Sequence, residues 1–416
     1  MIARIQALNY RCLRAVDCPL GPFHVLVGPN ASGKSTFLDV IAFLGELVSE
    51  GLDQAVQSRA QSFHDLVWRR AGDRFELALE AVIPEELRQH IEGGPFHTIR
   101  YEVAVGLDPG SAEIALLEER VSFNETLPSE GIQRDLFPAP STPPTSLIPP
   151  RSPRRGSRSV IKKVPGGNDN FYAETGKSYS PSFKLGPRKS ALGNLPADEI
   201  SFPVANWLRV LLVEGVQPVF LKSHLLRAAS PPGRGRRFKP DGSNLPWVVE
   251  HLRAADATRF RAWVRHLQEA LPDLKDIEVK QREDDKHAYL LLHHQNGLQT
   301  PSWMASDGTL RMLALTIPAY LPEMSGIYLI EEPENGIHPR AVESVLQSLS
   351  SVYTAQVLMA SHSPVVLSQV QPQQVLCFAK GSAGETDLIP GHQHPALREW
   401  RGNPQFATLF AAGVLN

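Results

Sequence analysis

Apolar and polar positions are patterned from the first residues of the chain. Residues 3–8 and 14–20 group apolar side chains around a polar turn at Asn9 to Arg11, and Val25, Leu26 and Val27 form a short apolar run. This pattern predicts a β-rich opening. From Ser35 to about Leu47 the spacing changes to that of an amphipathic helix, and residues 50–70 read as a second, polar helical stretch. Residues 74–83, 98–107 and 112–123 then alternate like three half-buried antiparallel strands, with a Pro-Gly turn at 109–110. Helical spacing returns at 204–212 and at 245–271, where Trp247, Val248, Leu252, Phe260, Trp263 and Leu267 read as core. A strand pair at 273–280 and 287–293 leads to a turn at Asn296-Gly297, and a helical run at 310–321 is punctuated by Pro318. Residues 327–330 form a continuous apolar strand, a helix runs from Pro339 to about Ser351, and 356–359 is another strand. The last stretch, 378–416, holds a strand or two and a short helix.

The pattern breaks between 124 and 203. Here the chain is rich in Pro, Ser and Gly with few aliphatic runs, as in residues 137–144, so much of 124–165 is expected to be a mobile insertion. Residues 151–163 carry basic side chains and no acidic one, which suits either a phosphate-contacting arm or a solvated linker.

Composition changes this picture little. The chain has 416 residues, 42% of them hydrophobic and 21% charged, which suits a globular protein with two or three domains' worth of core. A formal net charge of −2 argues against a surface that is basic all over, so any nucleic-acid contact must be local. Cys12, Cys18 and Cys377 have no paired spacing and read as small core residues rather than metal ligands or a disulfide framework. No secretory signal is visible, and the most apolar window, near 204–221, is interrupted by Arg209 and Glu214. A cytoplasmic protein without a membrane partner is the expectation.

The candidate chemistry begins at Gly28-Pro29-Asn30-Ala31-Ser32-Gly33-Lys34-Ser35-Thr36, between the third strand and the first helix. Two glycines five apart let successive N–H groups point into one concavity, and the helix adds roughly half a positive charge at its start. Polyphosphate is the natural guest. In that geometry Lys34 reaches the β- and γ-phosphates, Ser35 offers a hydroxyl to Mg²⁺, and Thr36 stands near the α-phosphate, with Gly28, Asn30 and Gly33 completing the loop. Ser306, Asp307 and Gly308 open a later helix and form a second candidate anion site. The strand 327–330 delivers Glu331 and Glu332, which alternation places on opposite sides of the chain. Glu331 is assigned to the metal and Glu332 to the base that polarises water. One strand later comes His362, expected at the same sheet edge and able to hydrogen-bond the γ-phosphate or the attacking water.

Residues 28–36, Ser306-Asp307-Gly308, Glu331-Glu332-Pro333 and Ser361-His362-Ser363 resemble, in this order, the Walker A, signature, Walker B and switch-histidine motifs of ABC-class ATPases. The similarity is to the branch that includes RecF, SMC and OLD-family proteins; Asn9-Tyr10-Arg11 and residues 241–245 resemble it too. The resemblance implies an α/β fold. It would be an ABC-type ATPase head with a mixed central sheet flanked by helices, an N-terminal antiparallel β subdomain and a helical subdomain. The expected organisation is 1–123 as the N-terminal half of the head, 124–203 as the partly disordered insertion, 204–300 as a helical and β lobe, and 301–416 as the C-terminal half. It also implies ATP and Mg²⁺ as cofactors, and a homodimer or higher oligomer whose two heads sandwich the nucleotide. Ser306 and Gly308 of one subunit would then cap the γ-phosphate held by Lys34 of the other, while the D-loop residues Asn335 to His338 line the seam.

Three departures from that pattern stand out. Glu331 replaces the usual, shorter aspartate; Asp307 replaces the signature's second glycine; and the metal-sensing glutamine has only Gln61, with His64 close by, as a candidate. No long heptad array separates the halves, so a rod-forming SMC is excluded. The leading functional expectation is an ATP-hydrolysing switch for a separately encoded effector, a nuclease or toxin, in bacterial defence against phage or foreign DNA. The alternative is a RecF-like clamp that grips DNA in repair or recombination. A transporter's ATPase subunit fits poorly, because a long insertion lies between the phosphate loop and the signature.

Overall fold

A computed structural model of the chain describes residues 1–128, 134–139, 142–148, 156–176, 180–322 and 324–397. The chain opens with β1 (Ile2–Tyr10), β2 (Leu13–Pro19) and β3 (Phe23–Val27), then α1 (Lys34–Ser49) and α2 (Leu52–Gln57). It continues through β4 (Arg74–Val82), α3 (Glu85–Arg88), β5 (Thr98–Leu107), β6 (Ile114–Asn124), β7 (Ser157–Lys163), β8 (Asp169–Phe171) and β9 (Ser182–Phe183). A middle stretch holds α4 (Pro203–Val210), β10 (Val216–Val219), α5 (Ser223–Arg227), α6 (Leu245–Ala255), α7 (Ala257–Ala270), β11 (Leu274–Gln281), β12 (Ala288–His294) and β13 (Gln299–Pro301). The last elements are α8 (Asp307–Thr316), β14 (Gly326–Glu331), α9 (Pro339–Ser350), β15 (Ala355–Ala360), α10 (Pro364–Gln369), β16 (Val375–Lys380) and β17 (Thr386–Pro390).

These strands form three sheets. An eight-stranded antiparallel sheet runs β2-β1-β4-β5-β6-β7-β8-β9, a six-stranded sheet runs β10-β14-β15-β3-β16-β17, and β11-β12-β13 form a small third one. In the six-stranded sheet every pairing is parallel except β16 with β17. Period-two alternation in its strands feeds two separate cores. Leu26, Ile327, Leu329, Leu358, Leu376 and Phe378 pack with α1 and the antiparallel sheet, while Val25, Val27, Tyr328, Ile330, Val357 and Met359 pack with α6 to α9. Each fully buried Phe or Leu in these cores contributes about 1.5–3 kcal/mol. The mixed α/β head expected from the sequence is the fold observed.

Several local expectations change. The stretch 50–70 is one short helix followed by two 3-10 turns rather than a long helix. Strands β4 and β5 are buried on both faces, not one. Their second face carries Glu76, Glu80, Arg100 and Glu102, all buried and hydrogen-bonded: Arg100 donates to Glu102 and to Gln6 on β1, and Asn124 donates to Glu80. A segment that the sequence assigns to the insertion covers this face. Ser146 Oγ donates to Glu76 at 2.8 Å, Leu147 N–H donates to the same carboxylate at 2.6 Å, and Leu147 packs on Leu8 and Ala78. Nearer its start, Arg134 and the Ala139 N–H both donate to Asp387 on β17, each at 2.8 Å.

The stretch 124–203 also supplies strands β7 to β9, since Val160, Ile161 and Phe171 give it enough apolar surface to join the sheet edge. Of the basic run, 151–155 lie outside the described residues. Arg158 donates to the Ala173 carbonyl and Lys163 is paired with Asp169 at 2.8 Å, so these two are used within the chain. Residues 398–416 also lie outside the described residues.

The loop 28–36 is clamped by the β16–β17 hairpin. Thr386 Oγ1 donates to the Ser32 carbonyl at 2.8 Å, and Thr386 N–H donates to the Cys12 carbonyl at 2.9 Å. Gly28 has φ +149°, and a Cβ placed there would fall inside contact distance of the Phe378 carbonyl oxygen on β16. Because a main-chain atom cannot step aside, Gly28→Ala is expected to cost about 3 kcal/mol, combining overpacking with an unfavourable φ. A thermal melt should show Tm falling by several degrees. An unchanged Tm would mean that the hairpin can move away from the loop.

Candidate functional site

Three neighbouring parallel strands end at one edge of the six-stranded sheet. Strand β3 leads into the phosphate loop, its neighbour β15 leads into Ser361 and His362, and β14 beside that ends in Glu331. Parallel strands present their C-terminal ends together, so residues more than 300 positions apart converge there. The result is a cleft of about 550 Å³ lined by Asn30, Gly33, Lys34, Ser35, Thr36, Glu331, Glu332 and His362, among others.

Helix α1 starts at this cleft with a left-handed Gly33 (φ +104°), no capping side chain and no acidic residue in its first turn. Its free N–H groups and dipole therefore favour an anion. Lys34 is buried, with Nζ donating to the Gly28 and Pro29 carbonyls at 2.9 Å each. Burial pushes its pKa down to about 8, against the pull of the Glu332 and Glu331 carboxylates. Ser35 Oγ donates to the Glu331 carboxylate. A hydroxyl and a carboxylate side by side are hard oxygen donors of the kind magnesium takes from a protein, the remaining ligands coming from phosphates and water. The longer side chain of Glu331 thus still reaches the serine.

Glu332 does not continue the strand. Its φ is +46°, its N–H donates to the Ala360 carbonyl at 2.9 Å, and the chain turns so that both glutamates line the same cleft. Strict alternation, which would put them on opposite sides, fails because the strand ends one residue earlier. Asn335 closes the turn: its N–H donates to the Glu332 carbonyl at 3.0 Å and its side-chain amide donates to the Glu332 carboxylate. Burial, and next the charge of Lys34, hold the His362 imidazole below its ordinary pKa, against the pull of Glu332 and Glu334.

The signature candidates stand elsewhere. Ser306 caps α8 by accepting from the Thr309 N–H at 3.1 Å, and Asp307 is paired with Arg227 at 2.7 Å, which lowers its pKa. Ser306, Asp307 and Gly308 are not among the residues lining the cleft. Gly308 instead packs on the D-loop candidates: a Cβ there would lie 2.5 Å from the Gly336 carbonyl oxygen, and Arg311 donates to the Asn335 carbonyl at 3.1 Å. Exposed His338 caps α9, accepting from the Arg340 N–H at 3.3 Å.

The far wall of the cleft is less legible in the sequence. It consists of Arg11, Cys12, Asp65, Val67, Arg69 and Arg70, while Gln61 and His64 do not line it. Cys12 is half-buried with Sγ 3.4 Å from Thr36 Oγ1, unlike the buried Cys18 and Cys377, so it is a cleft residue rather than core. Arg69 and Arg70 both have left-handed backbones, at φ +54° and +56°. Their one sequence signal is an arginine pair just before Ala71-Gly72, which marks a turn.

A family profile described as "AAA domain, putative AbiEii toxin, Type IV TA system" matches residues 23–368. A crystal structure of an Smc head bound to the C-winged helix domain of ScpA aligns over 93% of this chain and 96% of its own, at 12% identity and a TM-score of 0.51. An Smc head with an extended coiled coil bound to the C-terminal domain of ScpA, derived from Pyrococcus furiosus, aligns over 93% of this chain and 95% of its own, at 11% identity and a TM-score of 0.50. At these identities the likeness is one of fold. An OLD nuclease of Thermus scotoductus is 51% identical over 41 residues, which are 10% of this chain and 8% of that protein. Among the described residues no helix is long and apolar enough to cross a membrane.

Proposed function

Since the chain belongs to the family of AAA domains described as putative AbiEii toxins of type IV toxin–antitoxin systems, we propose that it binds and hydrolyses ATP, dimerises around the nucleotide, and thereby switches a partner effector. The observation that carries this reading is the convergence of β3, β14 and β15 on one cleft with Lys34, Ser35, Glu331, Glu332 and His362 around it.

In this reading the N–H groups of the loop and of α1 cradle the phosphates, Lys34 pairs with the β- and γ-phosphates, and Thr36 stands toward the α-phosphate. Ser35 and Glu331 would hold magnesium, which when bound neutralises charge on the phosphate oxygens. Glu332 orients and deprotonates the attacking water, held in place by Asn335. His362 makes one hydrogen bond at the terminal phosphate or the attacking water. Arg11, Arg69 and Arg70, which line the same cleft, would add positive charge beside the nucleotide.

Ser306 and Gly308 serve the second copy. What supports this is their place outside the cleft, at an exposed helix start packed on the turn that carries Glu332 and Asn335. ATP would close two heads and hydrolysis would release them, making the nucleotide a timed switch. The effector is a separately encoded nuclease or toxin, and the setting is bacterial defence against phage or foreign DNA. Of this, the family's description supports a toxin–antitoxin setting. The DNA clamp is the weaker reading, because Arg158 and Lys163 of the basic stretch bond within the chain.

Light-scattering mass of Glu332→Gln with and without Mg-ATP tests the switch. A doubling of mass on adding Mg-ATP is expected, with no co-eluting DNA when a duplex is present. An unchanged mass would sink the ATP-closed homodimer, and co-elution of duplex would favour the clamp.

A further inference from the structure

The turn between β14 and α9 carries a third carboxylate, Glu334, that has no part in the assignments above. Its Oε1 accepts from Ser361 Oγ at 2.6 Å and from the main-chain N–H of His362 at 3.0 Å. Ser361 is fully buried; its Oγ also accepts from the Ser363 N–H at 3.1 Å, and its own N–H donates to the Leu26 carbonyl at 3.1 Å. One carboxylate oxygen therefore fastens the corner that turns His362 into the cleft, and that corner is tied in turn to the strand feeding the phosphate loop.

The other oxygen has no such use. Glu334 Oε2 is buried and has no hydrogen-bond partner among the described residues, and Glu334 lines a small apolar cavity with Pro333, Ile337, Val345 and Met359. A buried polar atom left unpaired carries its full desolvation cost, so the second oxygen adds nothing to stability. Packing alone does not account for a carboxylate at this position. The groups that Oε1 holds do, since they lie beside His362 while the next residue in the turn, Asn335, holds Glu332.

We propose that Glu334 is a positioning residue which, through Ser361 and the main chain of His362, sets the imidazole against the terminal phosphate in one frame with the Glu332 carboxylate. This rests on the reading that the cleft hydrolyses ATP. Misplacing a reacting group by an ångström costs up to roughly a hundredfold in rate.

The test compares kcat, KM, Mg-ATP affinity and Tm for the full chain and for Glu334→Met, Glu334→Gln, Ser361→Ala, His362→Ala and the Glu334→Met/His362→Ala pair. Glu334→Met is expected to lower Tm by a few degrees, because it leaves the Ser361 hydroxyl and the His362 N–H without their acceptor, and to bind Mg-ATP as the parent does, while kcat falls roughly tenfold to a hundredfold. Glu334→Gln, which keeps an accepting oxygen, should recover most of the rate, and Ser361→Ala should lose part of it. In the His362→Ala background Glu334→Met should add almost nothing. Parental kcat in Glu334→Met, or the same loss with and without His362, would overturn the proposal. If Glu334→Met does not fold, a Glu334→Gln or Ser361→Ala rate that tracks Tm alone overturns it equally. A parental chain with no ATPase activity would fail the underlying reading instead.

Discussion

Replacing Lys34 by alanine is expected to lower the affinity for Mg-ATP by at least about a hundredfold, since a charge-assisted hydrogen bond is worth about 1.5–3 kcal/mol and the ammonium faces two phosphates. Lys34 is buried at the floor of the loop, its Nζ already directed by two carbonyls, so little side-chain freedom remains to be lost on binding. The other cations lining the cleft, Arg11, Arg69 and Arg70, come from the β1–β2 turn and the stretch after α2, not from the loop itself. The protein itself should survive the change: burial disfavours the ammonium, pushing its pKa down to about 8, and alanine removes that burden. Titration calorimetry checks the affinity, and a melt without nucleotide checks the fold. Binding within about threefold of the parent would mean that the main-chain N–H groups and the α1 terminus carry the phosphates unaided.

Glu332→Gln is expected to leave Mg-ATP binding intact and slow turnover by about two orders of magnitude or more, the usual contribution of a general base. The amide is isosteric, its oxygen can still accept from the Asn335 side chain, and the left-handed turn at φ +46° is untouched. Only the basicity is lost. Ser35 keeps its partner in Glu331, so the metal side of the site is unchanged and KM should hold while kcat drops. Single-turnover release of phosphate would check the chemical step. A parental rate would assign the base to another group in the cleft, with His362 the next to examine.

What was legible in the sequence is what short-range pattern encodes. The strand, loop and helix around Lys34, the strand ending in Glu331 and the strand before His362 each carry their own periodicity and boundary residues, and each forms as read. Their convergence followed from the rule that ligands bind at the C-terminal ends of parallel strands. The direction of Glu332 did not follow, because alternation assumes an extended backbone and the chain leaves the strand at that residue. The far wall was hidden for a different reason. Cys12, Asp65, Arg69 and Arg70 are ordinary residues in turns, brought to the cleft by contacts such as the Arg11 N–H to the Leu66 carbonyl at 2.9 Å. The covering segment near Leu147 was equally hidden: its apolar residues are too few for a periodicity, yet two hydrogen bonds to one buried carboxylate hold it on the sheet.

The placement of β3 has a consequence for how the protein is made. This strand lies between β15 and β16, and the loop it feeds is held by Thr386, 354 residues downstream of Ser32. A ribosome adding about 5–20 residues per second needs roughly 20–70 s to cover that interval. For most of that time Phe23 to Val27, apolar but for His24, has neither of its sheet neighbours. Until β15 has been made it is an unpaired edge open to chaperones and to other nascent chains. Nucleotide can gain a complete loop only after the hairpin of β16 and β17 has emerged, so ATP is positioned to stabilise the finished chain and not its precursor.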